Sequence, residues 1–167
     1  ENGALSIREL PIPVPGDCQA LVKLKSCGVC NGTDTKLIHH SFKNFNTYPA
    51  ALGHEGVGEV VQIGSKVKNL QIGDRVLLPF LEGETEGIAS GWGAYSEYAL
   101  VGDAAACAEN GMGEGTAAFN EGYLAQSVLK PDDRVDDVQA AMIITFREVL
   151  SAIRRFDLKA NENIVVF

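Results

Sequence analysis

Two short stretches of the chain hold residues able to do chemistry together. Cys27-Gly28-Val29-Cys30-Asn31-Gly32-Thr33-Asp34 brings two thiols, a hydroxyl and a carboxylate close in sequence. Gly53-His54-Glu55-Gly56-Val57-Gly58 sets an imidazole beside a second carboxylate among glycines. Taken alone, Cys-x-x-Cys suits a redox pair or half of a zinc knuckle. No second Cys-x-x-Cys follows to complete a four-cysteine site, and no thioredoxin-like βαβ pattern surrounds this one. A thiolate, an imidazole and nearby carboxylates are instead the donors of an open zinc site, in which three protein ligands leave a fourth position for water or substrate. Other reactive residues read as structural. Cys27 reads as a packed strand-end residue, Cys18 and Cys107 as inert thiols, and Trp92 and Tyr95 as core or sheet-edge packing. His39 and His40 are adjacent, so they point apart at the surface.

The elements that must position these residues are legible from periodicity and punctuation. In Ala20–Lys25, Val22 and Leu24 face one way and Lys23 and Lys25 the other, which predicts a half-buried strand. Further strands are predicted at Val57–Ile63, at Arg75–Leu78 after the turn Ile72-Gly73-Asp74, and at Tyr95–Val101. Short strands with regularly spaced turns predict a barrel or sandwich. Gly102–Gly122 has no clear period and reads as a long surface insertion or mobile loop. Its Gly111–Thr116 run does not open a helix within a βαβ unit, so it is not read as a phosphate cradle. Asp136 or Asp137 then caps a predicted helix over Val138–Phe156, with Arg154 and Arg155 at its negative end. The β-branched run Ile164–Phe167 reads as a strand buried on both faces of a parallel sheet.

Composition bounds the partners. The 167 residues carry a net charge of −8, with 46% apolar and 22% charged residues, an ordinary globular balance. The acidic excess argues against nucleic acid and against anionic membranes, and no apolar run is long enough to span a bilayer. Four cysteines and no secretory signal predict a reduced, cytoplasmic protein.

The run Gly53-His54-Glu55, Gly58, Gly64 and Val67 resembles, without a gap, the zinc signature of medium-chain zinc-containing alcohol dehydrogenases. Cys27–Asp34 resembles that family's cysteine-ligand stretch, and Gly73-Asp74-Arg75-Val76 and Gly93–Tyr98 resemble further family segments. The resemblance runs from about Leu5 to Val101 and resumes from Lys130 to Phe167. It implies a mainly β chain with some α: a GroES-like β-barrel over residues 1–137, then over 138–167 a connecting helix and the first strand of a coenzyme-binding Rossmann domain. It also implies one catalytic zinc ion, NAD or NADP in the full-length protein, a small alcohol or polyol substrate, and a homo-oligomer. Zinc would acidify the alcohol and a nicotinamide would accept hydride.

Carried over residue by residue, the resemblance makes Cys30 and His54 zinc ligands and places Thr33 near the substrate oxygen. Asp34 would accept the second ring N–H of His54, and Glu55 would lie behind the metal, able to ligate it transiently. Three departures stand out. One extra residue, Asn31 or Gly32, separates Cys30 from Thr33. The family's third ligand would fall at Ile144 or Thr145, neither a metal donor, so Glu148, one helical turn on, is the candidate. No cysteine lies between Pro79 and Gly91, so a second, structural zinc is not expected. As it stands the chain carries no dinucleotide fingerprint and is expected to be an incomplete piece, inactive alone. The alternatives are a zinc-free reductase of the same fold or a non-catalytic barrel.

Overall fold

The computed structural model describes residues 3–113, 128–129, 134–163 and 165. Strand β1 (Gln19–Gly28) lies in the larger sheet between β3 (Glu55–Ile63) and β7 (Tyr98–Gly102), antiparallel to both. Strand β3 pairs in turn with β4 (Arg75–Leu77), and β4 with β8 (Val128–Leu129). A smaller sheet joins β2 (Ala50–Ala51), parallel to β6 (Ile88–Ser90), with β5 (Glu84–Thr85) antiparallel on the far side of β6. The alternation seen in sequence sets the inward face: Ala20 and Val22 of β1 bury with Val60, Val76 and Val101, while Lys23 and Lys25 stay exposed.

The expected closed barrel is not what the described residues form. The five-stranded sheet has open edges at β7 and β8. One bridge, between Phe80 and Leu100 of β7, ties the two sides together. The reason is local. Leu78 takes a φ of 57° immediately after β4, and Pro79 has no N–H to continue a ladder, so the pairing of β4 stops after three residues. Nor are the described residues mainly β: among them, three helices hold nearly as many residues as the eight strands, a mixed sheet-and-helix architecture.

Helix α1 (Thr33–Ile38) follows the cysteine stretch and buries Asp34 and Leu37. Helix α2 (Ala104–Glu109) corrects the reading of Gly102–Gly122 as an irregular insertion. Asp103 caps it by accepting from the backbone N–H groups of Ala105 and Ala106, and Ala106 and Cys107 bury against Cys18 and Phe80. Residues 114–122 of that stretch lie outside the described residues.

Helix α3 (Asp137–Arg155) begins at Asp136 through a capping box with Gln139, one residue before the predicted start. Ala140, Ala141 and Ile144 pack on Val57 and Leu77, and the helix lies chiefly over β1 and β3. Its first turn is also tied by polar contacts. Ser26 donates to the Asp137 carbonyl, and Arg75 donates to the Val135 carbonyl at 2.8 Å. Farther along, Phe146, Val149, Leu150, Ile153 and Phe156 are exposed. Of the predicted strand Ile164–Phe167 only Val165 is described, so that expectation lies almost wholly outside the described residues.

Candidate metal centre

The two reactive stretches meet because of strand register. Cys27 pairs with Gly56 and Gly28 with Glu55, so the end of β1 and the start of β3 are locked side by side. Cys30 lies two residues beyond one strand and His54 one residue before the other. A donor atom from each of Cys30, His54 and Glu55 lies within 4.8 Å of the other two. Cys30 is fixed by its own turn: its N–H donates to Asp34 Oδ2 at 2.9 Å, and its Sγ accepts from the Thr33 N–H at 3.4 Å.

His54 is positioned by glycine and by aromatic rings. Gly53 has a φ of 98°, and a Cβ there would come within 2.6 Å of the Tyr95 backbone nitrogen. Only glycine lets the strand pass that close. The same segment runs alongside residues 91–95: Ala94 N–H donates to the Gly53 carbonyl at 2.8 Å and Tyr95 N–H to the Leu52 carbonyl at 3.0 Å. Trp92 is thereby carried to His54, with ring centroids 5.5 Å apart, and Phe42 meets Trp92 edge-on. Tyr95 donates to Asp34 Oδ2 at 2.6 Å, and the Gly28 carbonyl lies 3.2 Å from the same hydroxyl. Burial and the bond to Asp34 push its phenol pKa up, so it remains a donor. Trp92 and Tyr95 are thus part of this site rather than packing alone. The signal for them was present in Gly91–Tyr95, whose glycines permit close backbone approach, but sequence does not show what the strand approaches.

The residues present fit a bound metal. Asp34 Oδ1 and His54 Nδ1 are buried, face each other at 3.7 Å, and have no hydrogen-bond partner among the described residues. A metal at the other ring nitrogen would fix the tautomer with a proton on Nδ1, which then points at Asp34. Glu55 is only 9% exposed, and among the described residues no lysine or arginine pairs with it. A buried carboxylate in that position calls for a cation. Sulfur, nitrogen and oxygen donors together suit zinc.

Other candidates stand apart. Burial pushes the Cys27 thiol up to about 11, and it donates to the Gly28 carbonyl outside the three-residue cluster. Glu148 is exposed on α3 in a groove with Leu78, Ile144, Arg147 and Arg155, and is not in the group with Cys30 and His54. The carboxylate that joins them is Glu55, because register delivers it directly. Thr145, set aside as no donor, touches that carboxylate: its Oγ1 donates to Glu55 Oε1 at 3.0 Å.

Residues 16–135 match the alcohol dehydrogenase GroES-like domain family. The chain belongs to that family. Among its relatives, an alcohol dehydrogenase of Geobacillus stearothermophilus is 34% identical over 147 residues, covering 84% of this chain and 40% of its own length. The L-galactonate-5-dehydrogenase of Escherichia coli K12 is 32% identical over 166 residues, 95% of this chain and 44% of the relative. The chain therefore spans less than half the length of these relatives. A structure of a proposed zinc-binding dehydrogenase from Sinorhizobium meliloti 1021, bound to NADP, aligns with a TM-score of 0.56 at 27% identity, covering 85% of this chain and 39% of that one. The (2R,3R)-butanediol dehydrogenase of Bacillus subtilis shares the fold with a TM-score of 0.62 at 24% identity, over 97% of this chain and 47% of its own. Among the described residues no helix is long and apolar enough to cross a membrane.

Proposed function

We propose that this chain is the zinc-holding, substrate-side part of a nicotinamide-linked dehydrogenase that interconverts a small alcohol, polyol or hydroxy-amino acid and its carbonyl. The observation that carries the reading is the convergence of Cys30, His54 and Glu55 at the register-locked ends of β1 and β3. Cys30, His54 and Glu55 would hold the ion. When bound there, zinc supplies the Lewis acidity that makes an alcohol proton easy to lose.

The chain's own residues do the rest. Asp34 faces His54 Nδ1, so its carboxylate favours the tautomer with a proton there, which leaves the other ring nitrogen free for a metal. Asp34 is itself held by Tyr95 and by the Cys30 backbone. The Thr33 N–H steadies the Cys30 sulfur, and its hydroxyl, at the start of α1, is the group assigned to carry the substrate proton outward. Trp92, beside His54 with Phe42 against it, gives the site an apolar wall that orients the carbon side of a substrate and keeps water away from it. The nicotinamide assignment rests on the NADP-bound relative, and the polyol assignment on the L-galactonate-5-dehydrogenase likeness.

Elemental analysis of the full-length protein tests the reading. One zinc per chain is expected, with loss of that zinc in His54→Ala. Metal-free protein, or a His54→Ala variant that keeps its zinc, would end it.

A further inference from the structure

The proposed metal centre leaves one polar contact without a role, the hydroxyl of Thr145 on the carboxylate of Glu55, made by residues 90 positions apart in sequence. A threonine inside a helix ordinarily donates to the carbonyl four residues earlier, here that of Ala141. Thr145 instead sends its proton across to β3, at 3.0 Å from Glu55 Oε1. The helix that carries it is well anchored. Ala140, Ala141 and Ile144 are buried against Val57 and Leu77, and Arg75 and Ser26 tie its first turn. The other carboxylate oxygen is constrained from the opposite side. Gly28 pairs with Glu55 in the ladder, and a Cβ on Gly28 would come within 2.4 Å of Glu55 Oε2. The carboxylate is thus gripped between a strand with its side chain missing and a helix with a hydroxyl facing inward.

Building on the zinc reading above, we propose that Thr145 is a positioning residue that holds Glu55 as the standing third protein ligand of the ion. A single neutral donor suits that task. It fixes the rotamer of the carboxylate while leaving lone pairs on both oxygens, and it places no competing positive charge beside the metal. An arginine or lysine in its place would hold Glu55 more tightly and oppose the cation.

The test is metal affinity in the full-length protein, read with zinc against a competing chelator and with cobalt by its visible absorption. Thr145→Val keeps the shape and removes the donor, and should weaken both metals by about 10- to 100-fold, the usual cost of losing such a partner. Thr145→Ser should restore most of the affinity. Because Thr145 acts through Glu55, adding Thr145→Val to Glu55→Gln should weaken binding no further than Glu55→Gln alone. A purely structural role would instead multiply the two losses and leave the cobalt spectrum of Thr145→Val unchanged in shape. Wild-type affinity in Thr145→Val, or multiplied losses in the double variant, would overturn the positioning role while His54→Ala still abolished binding. If His54→Ala bound metal normally, the centre itself would be wrong and the proposal would fall with it.

Discussion

Two glycines beside the metal centre perform different tasks, and substitution should separate them. A Cβ on Gly28 meets the end of a flexible side chain, Glu55, whereas one on Gly53 meets the Tyr95 backbone in a left-handed conformation. Gly28→Ala should therefore fold and bind zinc more weakly, while Gly53→Ala should lose about 1–3 kcal/mol of stability. Thermal unfolding and chelator competition on the two variants read the difference. Tyr95→Phe removes a donor from the buried carboxylate of Asp34 without changing shape. It should weaken zinc binding by about tenfold, since Asp34 is what faces His54. At this scale the sequence was informative where chemistry and local spacing coincide. Cys30, Asp34, His54 and Glu55, which the structure brings together, all stand in two short motifs of the sequence. Glu148, one turn beyond Thr145, lies in an exposed groove and outside the group that Cys30, His54 and Glu55 form. Nothing in a linear pattern revealed that Thr145 would meet Glu55, since that contact depends on how α3 crosses β3.

Among the elements, α2 depends most on a single side chain. The Asp103 carboxylate accepts from the backbone N–H groups of Lys68, Asn69, Ala105 and Ala106, joining the helix to a distant loop. Burial disfavours its charge, but these four donors prevail and hold its pKa below the usual carboxylate value. A depressed folded-state value means that the stabilisation is full above the unfolded pKa, about 3.9, and disappears as pH falls through the lower folded value. Asp103→Asn should accordingly cost about 2 kcal/mol at neutral pH, with the gap to the parent closing in strong acid. Denaturation series at pH 7 and below pH 3 provide the comparison. The same helix shows why its stretch read as a loop. Six residues, four of them alanine, have no apolar stripe to detect, and their burial comes from Cys18 and Phe80 elsewhere in the chain. Strands β1, β3, β4 and β7 and helix α3 were legible because alternation, glycine and turn punctuation or capping marks them within their own sequence.

For the molecule as a whole, the proposed ion would join the loop after β1, the start of β3 and, through Thr145, helix α3. A ligand that binds only the folded state adds about 2.7 kcal/mol at a hundred times its Kd. Stripping the full-length protein with a chelator should lower its melting temperature, and zinc should restore it. Cys30→Ser should blunt that response. That the sheet stays open among the described residues was the least legible feature, because it turns on the φ of Leu78 and the Phe80–Leu100 bridge rather than on any pattern of hydrophobicity.

The lone tryptophan of these 167 residues sits against the imidazole proposed to hold the ion. That proximity gives the domain an intrinsic optical reporter. Cobalt absorbs visible and near-ultraviolet light, so loading it in place of zinc would quench Trp92 emission by energy transfer, and the time course of that dimming would follow metal arrival in real time.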